Sequence, residues 1–177
     1  AGASNTTIVR IIIEAGGKDS MIVDHDADLP KAAEAALWGA MSNAGQTCIG
    51  TERVYVHEKV FDTFVAEITE QAKELKSGAG EKIGPITMPS QIGIIKSHID
   101  DAIAKGATVV TGGSDAVGER FVQPTIMTNV PENSTEITEE TFGPTLAINP
   151  VKSMDEAVQL TNATKYGLAG AVFAKKN

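Results

Sequence analysis

Thiols and imidazoles are scarce in this sequence: it has one cysteine, Cys48, and 3 histidines. A single thiol cannot close an internal disulfide, and cysteine-based metal sites ordinarily need several ligands. That scarcity predicts a reducing compartment and a cytoplasmic protein. His25, His57 and His98 stand apart without any metal-motif spacing, so no metal is expected. Basic charge is also short, since 15 Lys and Arg face 23 Asp and Glu for a net charge of −8. No basic stripe offsets it locally, so no nucleic-acid partner is expected. No apolar run approaches the roughly 20 residues that cross a bilayer, and residues 1–7 carry no signal-peptide pattern, so no membrane partner is expected either. Internal repeats, low-complexity tracts and linkers are missing as well.

What remains is an ordinary globular chain of 177 residues, 42% hydrophobic and 21% charged, long enough for one domain with a full core. It starts without methionine and stops just after an apolar stretch, which reads as an excised piece of something longer. Strand-like β-branched or apolar runs occur at Ile8–Ile13, Met21–Val23, Val54–Val56, Thr108–Thr111, Pro124–Met127, Leu146–Val151 and Ala169–Ala174. Helical spacing falls between them. Asp28 caps a helix with Pro30 in its first turn that runs to about Met41. Val60, Phe61, Phe64, Val65 and Ile68 mark a second helix, and Ile92, Ile95, Ile99 and Ile103 a third, with Gly106 at its expected C-terminal cap. Ser153 to Glu156 fits a capping box that opens a last helix. The alternation predicts an α/β domain, an open, largely parallel twisted sheet flanked by helices.

Three stretches could carry chemistry. In Asn43-Ala44-Gly45-Gln46-Thr47-Cys48-Ile49-Gly50, glycines flank a cysteine and can turn backbone N–H groups toward a developing oxyanion. Taken alone, Cys48 reads either as a nucleophile or as a small buried apolar residue. In Glu14-Ala15-Gly16-Gly17-Lys18, a carboxylate stands at the end of the Ile8–Ile13 strand, the end at which open α/β sheets place their sites. The phosphate-loop spacing is absent there, so the local pattern also allows an ordinary polar strand end. In Glu139-Glu140-Thr141-Phe142-Gly143-Pro144, two acids and an aromatic ride a turn that alone could be a solvated loop. Asp24-His25-Asp26-Ala27-Asp28 resembles the start of a calcium loop but has Leu29 where glycine is required and Ala35 where glutamate is required. Gly112-Gly113 lacks the other glycines of a dinucleotide fingerprint.

Taken in order, the three stretches resemble the aldehyde dehydrogenase superfamily. Connecting sequence shares the likeness: Asp26-Ala27-Asp28-Leu29, Gly84-Pro85, Phe121-Val122-Gln123-Pro124-Thr125 and Tyr166-Gly167-Leu168-Ala169. The resemblance covers nearly all of the chain and departs at Ala15, where the family usually has leucine. It implies a catalytic domain over 1–177, with the NAD(P)-binding domain and a C-terminal segment absent, and a full-length homo-oligomer. It implies that Cys48 is the nucleophile and Glu14 the base that activates water. It implies that Glu140 holds the nicotinamide ribose of NAD or NADP and that Phe142 flanks the nicotinamide. The implied reaction oxidises an aldehyde to a carboxylic acid; by itself the chain is expected to be inactive and to expose apolar surface. Glu14 is expected to be mobile, because it must clear the hydride path and then return. A CoA-acylating relative would tend to lack the base, and a non-enzymatic binding or structural descendant would tend to lose base or nucleophile. Both residues are present.

Overall fold

The computed structural model describes residues 10–175. Six strands form one sheet: β1 (Asp19–Val23), β2 (Thr51–His57), β3 (Thr108–Thr111), β4 (Thr125–Thr128), β5 (Thr145–Val151) and β6 (Gly170–Phe173). Their spatial order is β3-β4-β5-β2-β1-β6, and every pairing is parallel except β3 with β4. The helices are α1 (Leu29–Met41), α2 (Phe61–Ala72), α3 (Pro89–Ala104), α4 (Thr135–Thr138) and α5 (Met154–Thr161). The expected open, largely parallel α/β sheet is therefore present.

Side chains along a strand alternate between faces, and the core divides accordingly. Met21, Val23, Val54, Val56, Leu146 and Ile148 join the main core beneath α1, α2 and α3. Ile22, Tyr55 and Val151 face the other way, against Ala157 of α5. On α1 the core face is Ala32, Ala33, Ala36 and Ala40 with Leu37 and Met41, small enough for close packing on sheet and neighbouring helix. The Asp28 carboxylate accepts the Lys31 N–H at 3.4 Å, as an N-cap should. At α5 the Ser153 hydroxyl accepts the Glu156 N–H at 3.2 Å, while the Glu156 carboxylate accepts the Lys152 N–H at 2.6 Å. The Ser153 half of the expected capping box is thus formed, whereas Glu156 reaches back to the Lys152 N–H instead of that of Ser153. Among the described residues no helix is long and apolar enough to cross a membrane.

The expected Ile8–Ile13 strand needs correction. Ile8 and Val9 lie outside the described residues, and from Arg10 to Lys18 there is no strand. Ile11, Ile12 and Ile13 are 67%, 71% and 81% exposed. β-branching favours an extended chain, but a strand also needs a neighbour to bond and a surface to cover its side chains, and β1's two sides are already taken by β2 and β6. Trp38, at 75% exposed, is another large apolar side chain left on the surface.

Candidate active site

In the contiguous parallel run β5-β2-β1-β6, all four strands begin at the same sheet edge. The residues leading into them are the singled-out stretches: Glu14–Lys18 before β1, Asn43–Gly50 before β2, Glu139–Pro144 before β5 and Tyr166–Ala169 before β6. Parallel topology therefore gathers at the amino edge residues separated by most of the chain. This corrects the expectation that Glu14 marks a strand's carboxyl end. Glu14 precedes a strand rather than ending one.

Glycines let these loops close on one another. The Gly17 N–H donates to Glu140 Oε1 at 3.0 Å. A Cβ on Gly16 would fall 2.6 Å from Glu140 Oε2, and one on Gly17 would fall 2.5 Å from the Cys48 carbonyl oxygen. The cysteine loop is built on a left-handed run at Asn43, Ala44 and Gly45, with φ of 53°, 58° and 71°. Gln46 pins it: its Nε2 donates to Asn43 O at 2.9 Å and to Pro85 O at 3.2 Å, and its Oε1 accepts the Thr87 N–H at 2.8 Å. Gly50 N–H to Thr47 O, 2.9 Å, closes the turn that carries Cys48. Cys48 is exposed, so it is not the buried apolar filler its local pattern also allowed.

Gly45 lets this loop meet the Glu139–Pro144 turn, because a Cβ there would stand 2.0 Å from the Gly143 carbonyl oxygen. Replacement by alanine adds a clash with backbone to a strained φ. Gly45→Ala is expected to lower the stability of the full-length protein by at least about 2 kcal/mol. Gly80 has φ +82° with nothing within 4 Å of an added Cβ, so Gly80→Ala supplies the strain without the clash. Denaturant unfolding of the pair checks this, and equal losses would show that loop contact contributes nothing.

The Glu139–Pro144 turn is not a solvated loop. Glu52, 5% exposed, holds it from below. Its carboxylate accepts the Thr141 N–H at 3.0 Å and the Phe142 N–H at 3.0 Å and is paired with the Lys18 ammonium, itself 1% exposed. Lys18 Nζ also donates to the Thr141 hydroxyl at 3.3 Å, where His98 Nδ1 lies at 3.1 Å and Glu136 Oε2 at 3.3 Å. Gln91 Nε2 donates to the Thr141 carbonyl at 2.7 Å. With so many anchors Phe142 is held at φ 52°, left-handed for a non-glycine. Burial pushes the Glu136 carboxyl up to about 7, against the Lys18 ammonium. Burial, helped by the same ammonium, holds the His98 imidazole below its usual range. Tyr166 OH accepts the Glu140 N–H at 3.2 Å, and Asp19 Oδ1 accepts the Ala169 N–H at 2.9 Å, tying the β6 loop in.

Of the four residues singled out in the sequence, the structure brings Cys48, Glu140 and Phe142 to one place. Glu14 leads into the same edge, exposed and without a hydrogen bond or ion pair to any described residue. Reading the sequence missed Glu52 entirely and saw Lys18 only as a failed phosphate motif. The available signal was a charged residue within two positions of each glycine-bearing motif, where the chain enters a strand.

A model described as the aldehyde dehydrogenase family matches residues 1–177. The chain is 40% identical to the mitochondrial aldehyde dehydrogenase of Leishmania tarentolae over 176 residues, 96% of this chain and 35% of that protein. It is 39% identical to succinate-semialdehyde dehydrogenase (NADP+) 1 of Schizosaccharomyces pombe over 181 residues, 99% of this chain and 36% of that protein. Among solved structures, the NAD+ complex of an aldehyde dehydrogenase from Bacillus cereus superposes with a TM-score of 0.85 at 36% identity, over 91% of this chain and 34% of the other. The chain thus spans about a third of the length of the curated relatives it matches.

Proposed function

Since the chain belongs to the aldehyde dehydrogenase family, we propose that it is the catalytic domain of an enzyme that oxidises an aldehyde to a carboxylic acid with NAD or NADP. The observation that carries this is the convergence on Gly17 of the backbone of Cys48, whose side chain is exposed, and of a half-buried carboxylate, Glu140. The dinucleotide-binding domain would lie in the two thirds of the relatives' length that this chain does not span.

The residues present suit the cofactor. Glu140 Oε1 is fixed by the Gly17 N–H, whereas Oε2 has no partner among the described residues and overhangs Gly16, where no side chain fills the space. An acceptor oxygen in such a cradle suits a ribose hydroxyl, so Glu140 would hold the ribose and Phe142 would flank the nicotinamide. When bound, NAD(P) supplies the two-electron acceptor for the oxidation.

Cys48 does the covalent work. Thiolate is the nucleophilic form, and ordinary thiols ionise near 8.5, so reaction at neutral pH needs a base or a stabilising field. The Cys48 sulfur bonds to the aldehyde carbon, and the carbonyl oxygen takes the negative charge. The Cys48 backbone N–H is a candidate donor to that oxyanion. Once the adduct has been oxidised to a thioester, Glu14 removes a proton from the attacking water, the C–S bond breaks, and the carboxylic acid leaves while Cys48 regains its proton as the free thiol. An exposed Glu14 on irregular backbone, without a described partner, can withdraw during the first half and return for the second.

This division of labour is tested in the full-length protein by Glu14→Gln. Acylation is expected to survive, giving a burst of about one reduced nicotinamide per active site. Steady turnover is then expected to fall on the order of 10²–10⁴-fold. Loss of the burst together with turnover would remove Glu14 as the hydrolytic base. Unimpaired turnover that accelerates with added CoA would favour an acylating enzyme.

A further inference from the structure

The candidate active site lies at the amino edge, whereas open α/β sheets commonly take ligands at the carboxyl edge. Three donors meet at that edge: Asp24, directly after β1, His25, and His57, the last residue of β2. Histidines remote in sequence become neighbours because β1 and β2 pair in parallel with Val23 opposite Val56. One ligand atom from each of Asp24, His25 and His57 lies within 4.8 Å of the others. The two imidazole centroids are 5.3 Å apart, with their planes inclined by 58°.

The local bonding prepares these groups. Asp24 Oδ1 accepts the His25 N–H at 2.6 Å and contacts His25 Nδ1 at 2.8 Å, which holds carboxylate and imidazole side by side. His57 Nδ1 accepts the Lys59 N–H at 3.2 Å, which orients the ring, and ligation by His57 exchanges this contact for the cation, at Nδ1 directly or at Nε2 once the ring proton has moved to Nδ1. Asp24 is itself tied down, its N–H donating to Phe173 O at 2.9 Å. The neighbouring acids do not compete for the rings: Asp26 takes the Lys175 N–H and Asp28 pairs with Lys31. Tetrahedral ligands at about 2.1 Å from a metal stand roughly 3.4 Å apart, so rotamer adjustments of about an ångström close the set.

We propose that Asp24, His25 and His57 form a surface site for a divalent d-block cation of borderline softness, with Zn2+ the reference occupant and water completing its shell. Two imidazoles and one carboxylate suit Zn2+ or Ni2+ and are too few oxygen donors for Ca2+ or Mg2+. The three ligands connect the ends of two adjacent strands and stand clear of the candidate active site, so this inference does not depend on the proposed reaction.

The test is Zn2+ titration of the full-length protein by calorimetry at pH 7.5, beside its His25→Ala, His57→Ala and Cys48→Ser variants, each checked for native circular dichroism. Each histidine variant is expected to bind one site per chain at least about tenfold more weakly, and Cys48→Ser to leave that site intact. No Zn2+ binding by the unaltered protein, binding unchanged in both histidine variants, or loss confined to Cys48→Ser would each overturn the site.

Discussion

On the proposed mechanism, Cys48→Ala in the full-length protein is expected to abolish aldehyde oxidation, with kcat falling by at least about 10⁴-fold, while the protein stays folded and its affinity for NAD(P) is unchanged. The size of the loss follows from the place of the thiol in the proposed chemistry: without it there is no adduct to oxidise and no thioester to hydrolyse, so both halves stop together. Stability hardly changes because the side chain is exposed and its loop is held by other groups: Gln46 on Pro85 and Thr87, Gly45 on Gly143 and Gly17 on the Cys48 carbonyl. Surface replacements of that kind ordinarily stay within about 0.5 kcal/mol. Cys48→Ser is expected to be nearly as inactive, since a hydroxyl beside the same groups is a far weaker nucleophile than a thiolate. Formation of reduced nicotinamide by both variants, with cofactor binding followed by fluorescence, checks this. Turnover of the alanine variant within tenfold of the unaltered protein would end the covalent mechanism.

What the sequence could reveal depended on how local the cause was. Helix starts were legible because caps act over three or four residues: Asp28 and Ser153 do in the structure what their spacing predicts. The parallel α/β arrangement was legible from the alternation of apolar periods. Over its described residues, 10–13, the expected Ile8–Ile13 strand failed because period and β-branching report only the willingness to extend, while pairing needs a neighbouring strand. The edge carrying the site was misassigned by the same error, since Glu14 was placed relative to that strand. Cys48, Glu140 and Phe142 came from resemblance to a family, and local chemistry alone left each open. Glu52 and Lys18 were invisible because their meaning lies in a pairing across 34 residues and a bond to a turn 89 residues away. His25 and His57 were judged unrelated on chain spacing, and only strand register makes them neighbours.

The buried Glu52–Lys18 pair sets the second large effect. Glu52→Ala leaves the Lys18 ammonium buried without its counter-charge and removes the acceptor for the N–H groups of Thr141 and Phe142. Removing one partner of a buried pair costs about 3–5 kcal/mol, mostly because the survivor stays unpaired out of water. Glu52→Gln keeps an acceptor oxygen and is expected to lose less. In Lys18→Met with Glu52→Leu no charge is stranded, so the double variant should be more stable than the sum of the single losses predicts, and unfolding of all variants yields the coupling directly. Stability alone does not separate a brace from a positioning group, but the cofactor does. Glu52 reaches the turn at the two residues that follow Glu140, so its loss shifts Glu140 and Phe142, while the Cys48 loop keeps its own anchors in Gln46 and Gly50. In Glu52→Gln, therefore, NAD(P) affinity is expected to fall about tenfold, or roughly 1.4 kcal/mol, while the rate of Cys48 alkylation stays within about twofold. Equal changes in both would mean general loosening of the amino edge. Unchanged cofactor affinity would show that the Glu140 carboxylate keeps its place without the buried pair beneath it.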